Sequence, residues 1–156
     1  MRRRVQLRAG LLLLGGLIVI GAGGTARAGD VDVRGGYYAD TEAGFVGGGW
    51  LGQFNPDRAW YFNPNAEFAF SGDMDRITLN GDVHYDFPSD HRVAYWVGGG
   101  PAVLRNHPDV GDDDTDLGLN LLAGLGFKQG SVRPFLQGKL TLSDDSEAVV
   151  ALGIRF

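Results

Sequence analysis

The sequence predicts an all-β protein, an eight-stranded antiparallel up-and-down transmembrane β-barrel preceded by a cleavable signal peptide. Three observations carry this expectation. Turn signals recur at short, even intervals through residues 29–156. The segments between them alternate apolar with polar side chains, the period of a strand. Residues 1–28 have the make-up of an export signal.

In that leader, Arg2, Arg3, Arg4 and Arg8 precede an apolar run from Leu11 to Ile20, followed by small residues and Ala26-Arg27-Ala28. The run is shorter than the roughly 20 residues a membrane-spanning helix needs. Cleavage is expected after Ala28, leaving 29–156 as one domain. Five of the 14 basic residues fall in the leader and no acidic one does, so nine basic face 19 acidic side chains beyond it. That balance argues against nucleic acid as a partner, because binding it depends on neutralised phosphates. The chain has no cysteine, which rules out disulfides and thiolate metal sites. A small exported domain must then be stabilised in another way. No stretch after residue 28 suits a transmembrane helix, so a membrane crossing would be made by strands.

Breaks are read at Asp40-Thr41-Glu42, Asn55-Pro56-Asp57, Ser71-Gly72-Asp73, Pro88-Ser89-Asp90, Asn106 to Asp116, Gln129-Gly130-Ser131 and Ser143-Asp144-Asp145. The eight segments are about 9–12 residues long, the length of a tilted strand across a bilayer. The first sets Val31, Val33 and Tyr37 against Asp30, Asp32 and Arg34. The second, Phe45 to Phe54, is too glycine-rich for parity to decide, and so is the fifth, Val93 to Val103. In the third, Phe62, Ala66, Phe68 and Phe70 oppose Tyr61, Asn63, Asn65 and Glu67. Pro64 lies inside it and removes a ladder N–H, so a bulge is expected there.

The fourth places Ile77, Leu79, Val83, Tyr85 and Phe87 against Arg76, Thr78, Asn80, Asp82, His84 and Asp86. The sixth sets Leu117, Leu119, Leu121, Ala123, Leu125 and Phe127 against Gly118, Asn120, Gly124, Gly126 and Lys128. In the seventh, Val132, Leu136, Leu140 and Leu142 oppose Arg133, Gln137, Lys139 and Thr141. The eighth has Ala148, Val150, Leu152, Ile154 and Phe156 on one face, with Glu147, Ala151, Gly153 and Arg155 on the other.

Alternation alone leaves open which face is outside. Two features favour the apolar one. The polar rows carry six acids (Asp30, Asp32, Glu67, Asp82, Asp86, Glu147) and six bases (Arg34, Arg76, Lys128, Arg133, Lys139, Arg155), a balance suited to a confined lumen. With the N-terminus in the periplasm, Phe54, Trp60, Phe62, Tyr85, Phe87, Tyr95, Phe127 and Phe156 fall near one rim, as an interfacial girdle does. Trp50 takes the same outward parity, and Tyr37, Phe68 and Phe70 mark a sparser second girdle.

The final Val150-Ala151-Leu152-Gly153-Ile154-Arg155-Phe156 resembles the closing strand of bacterial outer-membrane barrels. Residues 29–156 as a pattern resemble the small eight-stranded outer-membrane proteins: the transmembrane domain of outer-membrane protein A, OmpX and the opacity-type adhesins. Tyr95-Trp96-Val97-Gly98-Gly99-Gly100 and Arg133-Pro134-Phe135-Leu136 are weaker parts of the likeness. The resemblance implies location in the outer membrane among its lipids and lipopolysaccharide. It also implies recognition of the strand ending at Phe156 by the barrel-assembly machinery. No peptidoglycan-binding domain follows the barrel, so anchoring to the cell wall is not expected.

Some such barrels modify lipid A. The deacylase type uses a Ser nucleophile, a His base and an orienting acid, with Ser two residues after His on one strand face. After His84 that position is Asp86, and neither His91 nor His107 has such a Ser. Ser89-Asp90-His91 is contiguous in a proline turn and reads as a turn. Asp82, His84 and Asp86 share a face that a cation would suit, but they read better as part of the lumen network. The run Asp109 to Asp116 lacks the spacing of a calcium loop and reads as solvated surface, a weak calcium or magnesium link to lipopolysaccharide phosphates being the alternative.

The expectation is therefore a monomeric, non-enzymatic barrel with an envelope role and at most a narrow ion path. No catalytic, cofactor-binding or metal-binding residue is assigned. Outer connections are expected to be short, with only 105–116 having reach. The alternatives are a soluble periplasmic barrel that binds an apolar ligand, and a lipid A-modifying enzyme.

Overall fold

The computed structural model describes residues 29–55, 59–71, 74–108 and 112–156. The expected signal peptide lies outside the described residues. Eight strands follow in order: β1 Asp30–Tyr38, β2 Ala43–Asn55, β3 Trp60–Phe70, β4 Met74–Asp86, β5 Val93–Pro108, β6 Asp114–Phe127, β7 Arg133–Leu142 and β8 Glu147–Arg155. Each pairs antiparallel with its sequence neighbours, and β1 pairs β8 to close the barrel. The closing ladder runs from Asp32↔Arg155 to Tyr38↔Val149, and the Phe156 N–H donates to the Val31 carbonyl at 2.9 Å. The start of β1 and Phe156 therefore lie at one rim, here the terminal end, with turns 39–42 and 143–146 at the far end.

The parity of the sequence is the parity of the wall. Leu79, Leu119, Leu121, Leu140, Val150 and Leu152 are exposed, while Asn80, Asn120, Thr141 and Lys139 are buried. The glycine-rich strands follow suit: Trp50 and Phe54 on β2 and Tyr95, Val97 and Val103 on β5 face outward. All the rim aromatics named from sequence lie on this outer face, Tyr85 partly covered and the rest exposed.

Two expectations need correction. Pro64 makes no bulge. The β3–β4 ladder passes through Pro64↔Gly81 without a shift, and the irregularity lies in β2, between Gln53 and Asn55. Proline lacks a donor toward β2, but the Asn63 side-chain amide donates to the Trp50 carbonyl at 2.9 Å. By the β2–β3 register that carbonyl stands opposite Pro64, so a side chain supplies the missing bond and no extra residue is needed. The second correction concerns 105–116. It is not a loop with reach, because β5 continues to Pro108 and β6 begins at Asp114, with Arg105↔Thr115 and Asn106↔Asp114 in register. Asp113 ties the ribbon together, accepting from Arg105 at 3.0 Å and lying 2.8 Å from His107 Nδ1. Residues 109–111 lie outside the described residues.

Candidate functional site

The interior is built in layers along the barrel axis. Nearest the far end, Tyr38, Ala43, Phe45, Ala69, Val149 and Ala151 form a buried apolar cluster, with Tyr38 edge-on to Phe45 at 5.2 Å. Phe45 also packs above Gly36, where a Cβ would lie 2.6 Å from its ring. Beside this cluster, Arg76 donates to Glu147 at 3.1 Å and to Asn106 at 2.7 Å. Glu147 in turn accepts from the Asp40 and Thr41 backbone N–H groups at 2.8 and 3.0 Å, fastening the first turn.

The middle layer is polar and closed. Glu67 accepts from the Tyr38 hydroxyl at 2.6 Å and from Lys139 at 2.7 Å. Arg34 Nη1 is 4.0 Å from the other Glu67 oxygen but makes no hydrogen bond. A relay of side chains crosses the lumen below. Thr141 donates to Asn120, and Asn120 donates to both Asn80 and Asp82. Asn80 then donates to Asn65, and Asn65 to Asp82. Asn120 and Tyr38 are 0% exposed, and Glu67, Thr78 and Thr141 are 1% exposed. The lumen is filled by its own side chains, as an eight-strand wall requires.

Toward the terminal end, Arg34 grips Asp32 through two nitrogens at 2.7 and 2.8 Å, with Asn63 bridging the pair. Trp96 and Phe135 follow, 6.2 Å apart and edge-on, with the Trp96 indole donating to Gln137 at 3.2 Å. Large rings fit here because Gly124 and Gly153 lie beneath them: a Cβ would come within 2.4 Å of Trp96 or of Phe135 respectively. The mouth opens into a cavity of 720 Å³ lined by Asp30, Asp86, Lys128, Arg133 and Arg155 among aromatic side chains.

Several interior residues escaped the sequence reading. Tyr38, Phe45, Trp96, Leu122 and Phe135 are apolar yet point inward. Their signal was present, since Trp96 shares parity with Ala94, and Phe135 with Arg133 and Gln137. The acids and bases of the polar rows pair unevenly. Arg76 meets Glu147 and Lys139 meets Glu67. Arg133, however, meets Asp30 at 2.6 Å, and Arg155 lies over the Trp96 and Phe135 rings at 4.5 and 4.7 Å.

The expected Asp82-His84-Asp86 row is split. Asp82 is occupied by Asn65 and Asn120. His84 stacks on Trp96 at 5.6 Å, with its Nε2 3.3 Å from Asp86 Oδ1. Neither atom has a hydrogen-bond partner.

An outer face of exposed leucines around an interior of paired charges inverts the arrangement of a soluble protein. It is the arrangement of a barrel in lipid. Neisserial surface protein A matches the structure with a TM-score of 0.69 at 15% identity, over 85% of this chain and 98% of that one. The fold is that of the small eight-stranded outer-membrane barrels. The N-terminal β-barrel domain of Pseudomonas aeruginosa OprF gives a TM-score of 0.63 at 17% identity, covering 84% of this chain and 98% of that chain. The outer membrane enzyme PagL gives 0.54 at 14%, covering 81% and 98%. No protein-family model and no curated protein matches the sequence. Among outer-membrane barrels the same wall thus serves an enzyme and other proteins, so the wall assigns no chemistry.

Proposed function

We propose that the protein is a non-enzymatic structural component of the bacterial outer membrane, inserted as a monomer among its lipids and lipopolysaccharide. One observation carries this reading: the apolar row faces outward all round, from Val33 on β1 to Leu152 on β8, while inside Arg34, Arg76 and Lys139 are buried against Asp32, Glu147 and Glu67. Similarity of fold to outer-membrane barrels supports it. In this reading the terminal end faces the periplasm, and the assembly machinery recognises the strand that ends at Phe156. The filled middle layer disfavours bulk porin conduction. The non-enzymatic reading draws support from the histidines. Among the described residues, no hydroxyl is hydrogen-bonded to the side chain of His84, His91 or His107. His84 is sequestered within the lumen, away from the lipid a deacylase must reach.

Cell fractionation tests the location, since a membrane barrel needs detergent for extraction and a soluble barrel leaves with the periplasm. Lipid A mass spectra with and without the gene test the absence of enzymatic action. An altered acylation pattern would overturn it.

A further inference from the structure

Among the described residues, Arg155 is the buried arginine that makes no ion pair, although Asp32 and Asp86 lie near enough to act on its charge. Arg155 is 8% exposed. Arg34, Arg76 and Lys139, the other buried lysine and arginines, each have a carboxylate within hydrogen-bonding distance. Among the described residues Arg155 has no ion pair, and its Nε has no hydrogen-bond partner. Its guanidinium lies instead over Trp96 and Phe135. Ring faces offset only part of the cost of burying a guanidinium.

Arg155 also lines the cavity at the barrel mouth, whose 720 Å³ lies within the size range of small-molecule sites. Lys128 and Arg133 line it too. Lys128 donates to the Ser89 carbonyl and meets no carboxylate among the described residues, while Arg133 is held by Asp30 with its Nε unpartnered. Of the two carboxylates in the described lining, Asp30 is held by Arg133, whereas Asp86 has one oxygen without a hydrogen-bond partner, 3.3 Å from His84 Nε2. Among the described residues, three cations thus stand against two carboxylates around an open space.

We propose that this cavity is an oxyanion site that holds a phosphate group at Arg155, with Arg133 and Lys128 alongside. A guanidinium offers a planar fork that matches two oxygens of one phosphate, and the two rings fix the plane of that fork by stacking. A monatomic anion cannot use such a fork. Trp60, Tyr85, Phe87 and Phe127 line the same space from the rim, so a phosphate carrying an ester chain could leave toward the bilayer interface. Free phosphate and the headgroup of a phospholipid in the adjoining leaflet share this chemistry.

The test is side-chain ¹⁵N NMR of the folded protein in maltoside micelles, following the Arg155 Nε–Hε resonance as inorganic phosphate is added. A saturable shift is expected that chloride at equal ionic strength does not reproduce. Arg155→Gln should weaken phosphate binding at least about tenfold, as loss of charge-assisted hydrogen bonds does. Arg133→Gln, outside the closing strand, should weaken it several-fold and serves if Arg155→Gln does not fold. Repeating the titration in phosphatidylglycerol nanodiscs separates the sources. A resonance already shifted and indifferent to added phosphate identifies the headgroup, and one that still titrates identifies free phosphate. Absence of a saturable shift in both settings, or an equal response to chloride, would overturn the proposal and leave Arg155 a hydrated cation resting on two rings.

Discussion

Glu67 illustrates how the interior uses charge. It is 1% exposed and satisfies both the Tyr38 hydroxyl and Lys139. A buried pair adds little net stability, yet removing one partner strands the other. Glu67→Gln is therefore expected to destabilise the barrel by about 3 kcal/mol, read from the urea midpoint in lipid vesicles. Glu147→Gln should cost less. Its remaining carbonyl can still accept from the Asp40 and Thr41 N–H groups, and Arg76 keeps Asn106. Parent-like melting of both variants would mean that the interior behaves as an ordinary wet surface. The sequence made the inward face of these residues legible, because parity alone assigns a face. It did not reveal who meets whom. Partner choice depends on height along the axis, which the stagger between strands sets. That is why Arg133 finds Asp30, and why Arg155 lies over Trp96 and Phe135.

Among the elements, β3 shows a strand adapting to a proline. The Asn63 amide takes the Trp50 carbonyl that Pro64 cannot serve, and it also reaches Asp32. Asn63→Ala should be clearly destabilising, and Pro64→Ala in the same chain should recover part of the loss by restoring a ladder donor. A double-mutant cycle in urea measures this coupling, and additive losses would count against it. The turn chemistry at 40–42, 88–90, 129–131 and 143–145 placed its strand ends within a few residues. It failed at the two ends of 106–116, where aspartates resemble a loop although 114–116 pair with β5, 107–108 pair with β4 and Asp113 reaches Arg105 and His107. Charge content reports solvation, not pairing. The closing strand gives a further prediction. Deleting Phe156 removes a 53% exposed ring, a small loss to the folded wall. Outer-membrane insertion in cells should fall far more than stability in vitro, and normal insertion would contradict recognition of the terminal aromatic.

For the whole molecule, the decisive property is which surface meets the apolar phase. Leu79 is 54% exposed and Asn80 is 5% exposed, although they are chain neighbours. In a chain without cysteine, Leu79→Cys should react with a membrane-soluble thiol reagent and resist a charged one, while Asn80→Cys reacts slowly with both. Rates are normalised to the unfolded variants, because the thiolate is the reacting form. Fast reaction of folded Asn80→Cys with the charged reagent would place that face in bulk water and overturn the membrane reading. The nearness of the start of β1 to Phe156, bridged by the Phe156 N–H and the Val31 carbonyl, has a different consequence. Every strand lies between the same kind of neighbours, so the ring has no geometrically privileged place to be cut. A circular permutant that joins residue 156 to residue 29 through a short linker and opens at turn 39–42 keeps every ladder. It should refold to the same barrel in detergent. In a cell it would present Asp40 last instead of Phe156, so its fate there would separate what the fold needs from what delivery needs.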